Sequence, residues 1–474
     1  MGRGDLCDAM VVGSGPNGLA AAITLARAGK KVVVHEARDT IGGAVASAEL
    51  TLPGFIHDVG AAVFPMAVNT PFFRDIPLRD HGLDLIFPEA SMSHPFDDGT
   101  AAVVYRDPAR TIQGLGADGP SYRWLVEPML RRWEEIEQEL FSPLHLPAHP
   151  VSLALFGLRV GMPVTVLARM LFRTEKARGL MAGLASHSIL PLSHPLSTAF
   201  AVIMAVHCHR PGWPIARGGS GALARALASY LASLGGRVVT SRTIRDLDEV
   251  DPSDALFLDL APGHAMDIAG QRLPPAYREG LRRFSQGPGA FKVDWALKRP
   301  VPWKAPECLL AATVHLGGTL DEISRAEGEV WKGRCPEKPF VLLVQPSLFD
   351  PSRAPSGMHT AWAYCHVPNG SGFDMTGRIE AQVERFAPGF RDLIVGRNVM
   401  GPSDIERFDA NCIGGDIAGG ANTLRQIFGR PVFSVNPYAI VPGMYLCSAS
   451  TPPGGGVHGM CGYNAARAFL QGGG

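Results

Sequence analysis

The sequence lacks the signatures of several classes of site. Its eight cysteines stand singly along 474 residues and form no C-x-x-C pair, so neither a zinc site nor a dithiol redox centre is indicated. A reducing cytoplasm is therefore the expected location. The sequence has no nucleophile elbow, no H-E-x-x-H motif and no serine triad, which argues against hydrolases built on these motifs.

Charge and hydropathy exclude two further classes. Basic and acidic residues balance at 44 each, which gives no indication of a nucleic acid partner. No uninterrupted apolar run reaches the roughly 18–20 residues that a membrane-spanning helix needs. The apolar segments at 151–171 and 196–206 instead predict the core of a substrate domain.

What the sequence does have is a complete β-α-β unit near its start. The unit ends on an acidic residue about 20 positions beyond a glycine motif, which is the spacing of a dinucleotide-binding site. In chain order it consists of a strand at 8–12, the motif Gly13-x-Gly15-x-x-Gly18, a helix at 19–28, a strand at 31–35 and Glu36.

Each part of this unit has a physical role. Gly13 permits the tight turn from strand to helix, Gly15 lets the backbone approach a pyrophosphate, and Gly18 lets the helix pack on the strand. The helix N-terminus favours an anion. Glu36 can accept hydrogen bonds from ribose hydroxyls.

The far end of the chain carries a second glycine-rich turn. Residues 444–448 predict a buried strand, 451–456 are too rich in proline and glycine for regular structure, and 460–470 predict a helix. Contact candidates at this second helix N-terminus are Gly455, Gly456, Val457 and His458.

The residues after Glu36 indicate which dinucleotide is bound. Ala37 and Arg38 lead to the pair Gly42-Gly43, and an acidic residue, a short loop and a glycine pair resemble the two-dinucleotide-binding flavoprotein pattern. The resemblance implies FAD. That pattern usually has arginine after the pair, where this chain has Ala44.

The whole chain resembles, in order, the phytoene desaturase-like branch of the FAD-dependent amine oxidase superfamily. The segment PPGGGVHGMCGYNAAR near the C-terminus most closely resembles that of an uncharacterised group, the pyridine nucleotide-disulphide oxidoreductase domain-like proteins. The resemblance implies an α/β fold with a Rossmann-type FAD-binding domain and a second, α+β substrate domain. The FAD domain is expected at 1–70, 205–265 and 405–474, and the substrate domain at 71–204 and 266–404.

The resemblance also assigns roles in the middle of the chain. It places Ile244 near the adenine and makes Gly218-Gly219 part of the FAD domain. These glycines do not indicate a second dinucleotide site, since no strand precedes them and no acidic residue ends the strand that follows. Lys292 aligns with a lysine that binds a water beneath flavin N5, and Lys292 and His458 are the catalytic candidates. The pair His207 and His209 predicts no metal site, because alternation on a strand is poor chelating geometry.

The motifs and the resemblance together define the expected site. The candidate cofactor-binding residues are Gly13, Ser14, Gly15, Asn17, Gly18, Glu36, Ala37, Arg38, Gly42, Gly43, Ala44, Ile244, Gly455, Gly456, Val457 and His458.

The expected function is that of a dehydrogenase or desaturase that transfers hydride from a largely apolar, isoprenoid-type substrate to flavin N5. Oxygen or a quinone would reoxidise the flavin. The alternatives are a redox-neutral isomerase, an amine oxidase and a non-catalytic escort protein. A homo-oligomer is a further expectation. As the alternative to a substrate-domain core, carotenoid-type relatives suggest that the apolar segments at 151–171 and 196–206 form a peripheral membrane patch.

Overall fold

A computed structural model describes residues 7–250 and 252–472. Residues 1–6 and 473–474, at the two ends of the predicted FAD domain, lie outside the described residues, as does residue 251. The strands are β1 (Ala9–Val12), β2 (Val32–His35), β3 (Ser47–Glu49), β4 (Ile56–Asp58), β5 (Leu85–Ile86), β6 (Ala90–Pro95), β7 (Ala101–Tyr105), β8 (Ile215–Ala216), β9 (Arg237–Val239), β10 (Ala255–Leu258), β11 (Gly289–Leu297), β12 (Ala311–Leu316), β13 (Val341–Val344), β14 (His359–Val367), β15 (Ile394–Met400), β16 (Ala439–Val441) and β17 (Met444–Leu446).

The α-helices are numbered in the same way. They are α1 (Pro16–Arg27), α2 (Pro71–Arg74), α3 (Pro108–Gly114), α4 (Gly119–Arg131), α5 (Trp133–Leu140), α6 (Pro150–Val160), α7 (Val164–Leu171), α8 (Glu175–Ser186), α9 (Ser197–His209), α10 (Gly221–Ser233), α11 (Pro262–Ala269), α12 (Pro275–Arg282), α13 (Leu320–Trp331), α14 (Thr376–Phe386), α15 (Pro402–Phe408), α16 (Leu424–Gly429) and α17 (Met460–Gly472).

A six-stranded sheet forms the predicted Rossmann-type unit. Its order is β16-β17-β10-β1-β2-β9, and every pairing is parallel except that of β16 with β17. The central strands AMVV, VVVH and ALFL are buried along their whole length, as expected of parallel strands covered on both faces. Each of the three stretches predicted for the FAD domain contributes strands to this sheet.

Helices α10 and α17 both pack on α1 beside this sheet. A Cβ added to Gly462 of α17 would lie only 1.8 Å from the carbonyl oxygen of Asn17 in α1. The two ends of the chain are therefore held at backbone contact. This contact brings the two predicted glycine turns to the same side of the molecule.

A seven-stranded sheet, β15-β11-β14-β13-β12-β6-β7, forms the second layer. Strands β11 and β13 are both paired antiparallel to β14. The stretch 71–204 of the predicted substrate domain supplies β6 and the edge strand β7. Both stretches predicted for the substrate domain therefore contribute strands to this sheet, and α8 and α9 pack beside it.

Two local predictions are corrected. His207 and His209 lie in α9 and not on a strand, and His209 Nε2 hydrogen-bonds the hydroxyl of Tyr122 at 2.9 Å. The two-residue strand β8 does precede Gly218, but it pairs antiparallel with β5 and is not part of the parallel sheet. The conclusion that Gly218 does not begin a second dinucleotide site is therefore unaffected.

In the described ranges, no helix is by itself long and apolar enough to cross a membrane. Helices α6 and α7 meet the criterion only when taken together, and the chain bends by 82° between them.

Candidate cofactor and substrate site

A cavity of about 710 Å³ joins the two sheets, a volume in the usual range of ligand sites. At one end it is lined by the carboxyl ends of β1, β2 and β10, where the first glycine turn lies. At the other end it is lined by one face of the seven-stranded sheet. One ligand-sized space therefore extends from the predicted dinucleotide site to the substrate domain.

The glycine turn has the shape that the motif predicts. Gly13 has φ +100°, and a Cβ there would lie 2.8 Å from the carbonyl oxygen of Asp259. A Cβ on Gly15 would lie 2.7 Å from a carboxyl oxygen of the same residue. Helix α1 begins after Gly15 without a side-chain cap, so its first turn can bind an anion.

Glu36 stands at the end of β2 and lines the cavity. Its Oε2 accepts the backbone N–H and the hydroxyl of Ser14 at 2.9 and 2.6 Å, and its Oε1 accepts the N–H of Arg38 at 2.9 Å. A carboxylate offers about four acceptor positions, so one remains for a ribose hydroxyl. The same contacts fix the turn to the second strand.

Asp259 is a cavity residue that the sequence did not predict. It follows β10 and accepts the N–H of Gly18 at 2.8 Å, so it occupies one of the free amides of α1. Burial, with Asp409 and Glu36 nearby, raises the pKa of Asp259 to about 8. Position was the available signal, because ligands in open α/β sheets bind at the carboxyl ends of strands.

The other end of the cavity is set by strand register. Lys292 of β11 pairs with Tyr364 of β14, which pairs with Leu342 of β13, and all three line the cavity. Trp362, two residues before Tyr364, lies on the same face. Sequence reasoning found Lys292 but not Trp362 or Tyr364, since only the sheet brings them together.

Lys292 is buried and paired rather than solvated. Its Nζ contacts the carboxylate of Asp294 on the same strand and lies 4.9 Å from the ring centroid of Trp362. Asp294 is fully buried and also accepts from the amide of Asn398 at 3.3 Å. Burial raises the pKa of Asp294, and the ammonium of Lys292 opposes that rise.

Most of the predicted cofactor residues line the cavity. They are Gly13, Ser14, Gly15, Asn17, Glu36, Ala37, Arg38, Gly43, Ala44, Ile244, Gly456 and Val457.

Three predicted glycines serve packing instead of lining the cavity. A Cβ on Gly18 would meet the carbonyl oxygen of Gly13 at 2.2 Å. A Cβ on Gly42 would lie 2.7 Å from Ala224 of α10, and one on Gly455 would lie 2.4 Å from the carbonyl oxygen of Ala418. These glycines let the backbone segments around the cavity approach each other, which for Gly18 is the role that the sequence predicts.

The second catalytic candidate, His458, is also corrected. It does not line the cavity, and both ring nitrogens are used by the backbone: Nε2–H donates to the carbonyl of Gly454 at 3.0 Å, and Nδ1 accepts the N–H of Met460 at 3.0 Å. Burial lowers its pKa to about 4. His458 therefore holds the C-terminal turn in shape and has no free nitrogen for proton transfer.

Three tyrosines of the C-terminal region, Tyr438, Tyr445 and Tyr463, do not line the cavity either. Tyr438 donates its hydroxyl to the carbonyl of Pro452 at 3.1 Å, and Tyr445 stacks on Phe257. The aromatic residues of the cavity wall are instead Trp213, Trp362 and Tyr364.

Comparison with known proteins agrees with this geometry. Residues 11–76 match the NAD(P)-binding Rossmann-like domain. The rat pyridine nucleotide-disulfide oxidoreductase domain-containing protein 2 is 26% identical over 557 residues, covering 98% of this chain and 93% of its own. The lycopene-forming phytoene desaturase of a Paracoccus species is 24% identical over 503 residues, covering 98% and 96%.

The chain is thus similar, along nearly all of the residues given, to phytoene desaturases. Among solved structures, an oxidoreductase from Methanosarcina mazei has a similar fold, with a TM-score of 0.65 at 14% identity and coverage of 98% and 99% of the two chains. These findings confirm the predicted fold and family, and they support FAD as the cofactor.

The residues present also fit FAD. The uncapped first turn of α1 suits the diphosphate, and the carboxylate of Glu36 suits a ribose. Ile244 lines the cavity beside Arg242, in the region predicted for the adenine. Gly456 and Val457, before α17, line the part of the cavity predicted for the flavin.

Proposed function

We propose that this chain is an FAD-dependent dehydrogenase or desaturase that removes a hydride from a largely apolar substrate. The observation that carries the proposal is the continuity of the cavity, from the glycine turn of α1 to the sheet face that bears Lys292 and Trp362. FAD, when bound, supplies the hydride acceptor. The chain supplies binding, orientation and exclusion of water.

The walls of the substrate end suit an apolar molecule. Trp213, Trp362 and Tyr364 offer flat apolar surfaces, and Leu342 and Val344 fill the space between them. Lys292 has three N–H donors, of which the Asp294 carboxylate needs only part, so Lys292 can hold a water or a substrate atom in the cavity. Lys292 therefore remains the candidate catalytic residue.

A test begins with the colour of the purified protein. Flavin absorbance after mild purification is expected, and its absence in repeated preparations would favour an escort protein that has lost the cofactor. Isoprenoid candidates are then mixed with the protein without oxygen. Bleaching of the flavin supports the dehydrogenase, whereas product without net bleaching would support a redox-neutral isomerase.

A variant links the activity to the cavity wall. Lys292→Met keeps an unbranched side chain but removes the ammonium, and it should slow bleaching while flavin content stays near that of the wild type. Readmitting oxygen or adding a quinone to the bleached protein identifies which of the two proposed acceptors restores the absorbance.

A further inference from the structure

His187 lies at the substrate end of the cavity, immediately after α8. Its ring meets that of Trp213 edge to face, with centroids 5.2 Å apart, and on its other side it meets His315 of β12, with centroids 5.0 Å apart. The imidazole of His187 is therefore held between two aromatic neighbours.

The hydrogen bonds of His187 leave one ring nitrogen available. Its Nε2 lies 3.0 Å from Nε2 of His315, so one of these two nitrogens donates and the other accepts. Burial lowers the pKa of His187 to about 3, so the ring is neutral at neutral pH. Within residues 7–250 and 252–472, no side chain or backbone group hydrogen-bonds its Nδ1.

Either arrangement of the shared proton gives Nδ1 a use. If His187 donates to His315, its Nδ1 is an acceptor and can bind a hydroxyl. If His315 donates, Nδ1 of His187 carries the proton and can bind a hydroxyl or carbonyl oxygen. In both cases Nδ1 of His187 is available for a hydrogen bond, in a wall that is mostly but not wholly apolar.

Packing around His187 fixes this position. His94 of β6 lies beside His315 and donates Nε2–H to the carbonyl of Gly318 at 2.7 Å. A Cβ on Gly183 of α8 would lie 2.8 Å from Nδ1 of His315 and 3.2 Å from Nδ1 of His94. The glycine lets α8 approach the two imidazoles closely, and α8 in turn places His187 at the cavity.

Two further cavity residues have unused polar atoms nearby. Trp213 and Thr313 both line the cavity and are 2% and 1% exposed. In the described chain, Nε1 of Trp213 and Oγ1 of Thr313 have no hydrogen-bond partner. Because a buried polar group without a partner is unfavourable, these atoms are available to pair with a ligand in the cavity.

We infer that the substrate is an amphiphile, an apolar, isoprenoid-sized molecule that carries a hydroxyl or carbonyl group. His187 hydrogen-bonds this group, and Trp213 and Thr313 lie beside it. This inference rests on the proposed function, and it assigns His187 as a substrate-binding residue and His315 as the residue that positions it.

The test compares two probes that differ by one hydroxyl. Limonene and perillyl alcohol share the same carbon skeleton, and their binding to the flavin-containing protein is measured by equilibrium dialysis. A wall with no partner for the hydroxyl would favour the hydrocarbon, because burying an unpaired hydroxyl is unfavourable. The wild type is expected to bind the alcohol at least as tightly as the hydrocarbon.

Substitution of His187 completes the comparison. His187→Phe keeps a ring of similar size but removes the hydrogen-bonding nitrogen. The ratio of the limonene Kd to the perillyl alcohol Kd should therefore fall about tenfold relative to the wild type, because a tenfold change corresponds to the loss of one neutral hydrogen bond. His187→Gln keeps a hydrogen-bonding group and should restore part of the ratio. His145→Phe, at a surface histidine paired with Glu139, is the matched control.

Two results would overturn the inference. One concerns the wild type, and therefore does not depend on whether the variants fold. The wild type would either bind limonene more tightly than perillyl alcohol, or bind neither the alcohol nor the corresponding aldehyde. The other is a ratio within about twofold of the wild type in a folded His187→Phe. Dialysis requires no flavin chemistry, so a failure of the oxidoreductase proposal would appear separately, as a colourless protein or an absence of bleaching.

Discussion

Gly462 offers a sharp test of how the two ends of the chain form one cofactor site. In the structure, a Cβ at this position would lie 1.8 Å from the carbonyl oxygen of Asn17 and 2.8 Å from the backbone nitrogen of Ala21. Both atoms belong to the backbone of α1, so no side-chain rotation can relieve the contact. Gly462→Ala must therefore move α17 away from α1.

The size of the effect follows from the distance. Normal contact between carbon and its neighbours is about 3.5 Å, so the helices must separate by roughly 1.5 Å. Overpacking of this kind costs about 1–3 kcal/mol and sometimes more. Alanine is intrinsically better than glycine in a helix by about 1 kcal/mol, so propensity alone predicts the opposite sign.

Flavin content and thermal stability report the two consequences of this shift. We expect Gly462→Ala to unfold several degrees below the wild type and to lose most of its FAD, because the N-terminal turn of α1 moves with the helix. Gly328→Ala in α13 is the matched control, since its added Cβ meets nothing within 4 Å. Wild-type flavin content and stability in Gly462→Ala would refute the reasoning.

Three further predictions concern charge and exposure. Burial raises the pKa of Asp259 to about 8, so a carboxylate forms beside the bound diphosphate as pH rises through 8. FAD affinity, measured by fluorescence titration, should weaken over this pH range. Asp259→Asn should remove this pH dependence. Asp294→Asn leaves the ammonium of Lys292 buried without its carboxylate and should cost about 3–5 kcal/mol of stability in denaturant unfolding. Leu158 and Met170, 82% and 74% exposed on α6 and α7, should promote pelleting with anionic liposomes, and replacing both by Glu should abolish it.

The pH dependence of stability has the same sign as that of FAD affinity. The pKa of Asp259 is higher in the folded chain than the value of 3.8 expected for an ordinary carboxyl group. The stabilisation from its bound proton is complete below that ordinary pKa and is lost as pH rises towards 8. Wild-type protein without FAD should therefore lose stability across this range, and Asp259→Asn should lose less.

The cofactor end of the site was predictable because its signals are local. Gly13, Gly15 and Glu36 belong to one β-α-β unit, in which each residue type is dictated by a turn, a close approach or a hydrogen bond. His458 shows the limit of such signals. Its place after the C-terminal glycines suggested contact with the flavin, whereas the backbone of Gly454 and Met460 uses both nitrogens of its ring.

Strand β6 was missed for a different reason. The segment ASMSHP contains serine, histidine and proline and has little intrinsic strand preference. It is a strand because β12 pairs with it on one side and β7 on the other. Because β12 is distant along the chain, tertiary context decides the conformation of this segment.

The two ends of the cavity can diverge independently, because different constraints set them. The turn of α1 must approach both a diphosphate and the backbone of α17, so substitutions there affect every substrate equally. The substrate wall is set by alternate residues of β11, β13 and β14, whose other face packs in a separate core. A change at Trp362 or Tyr364 alters the wall without moving the cofactor turn. Relatives that share the first glycine motif can therefore act on different molecules, and the identity of the substrate must be sought in the side chains around His187 and Lys292.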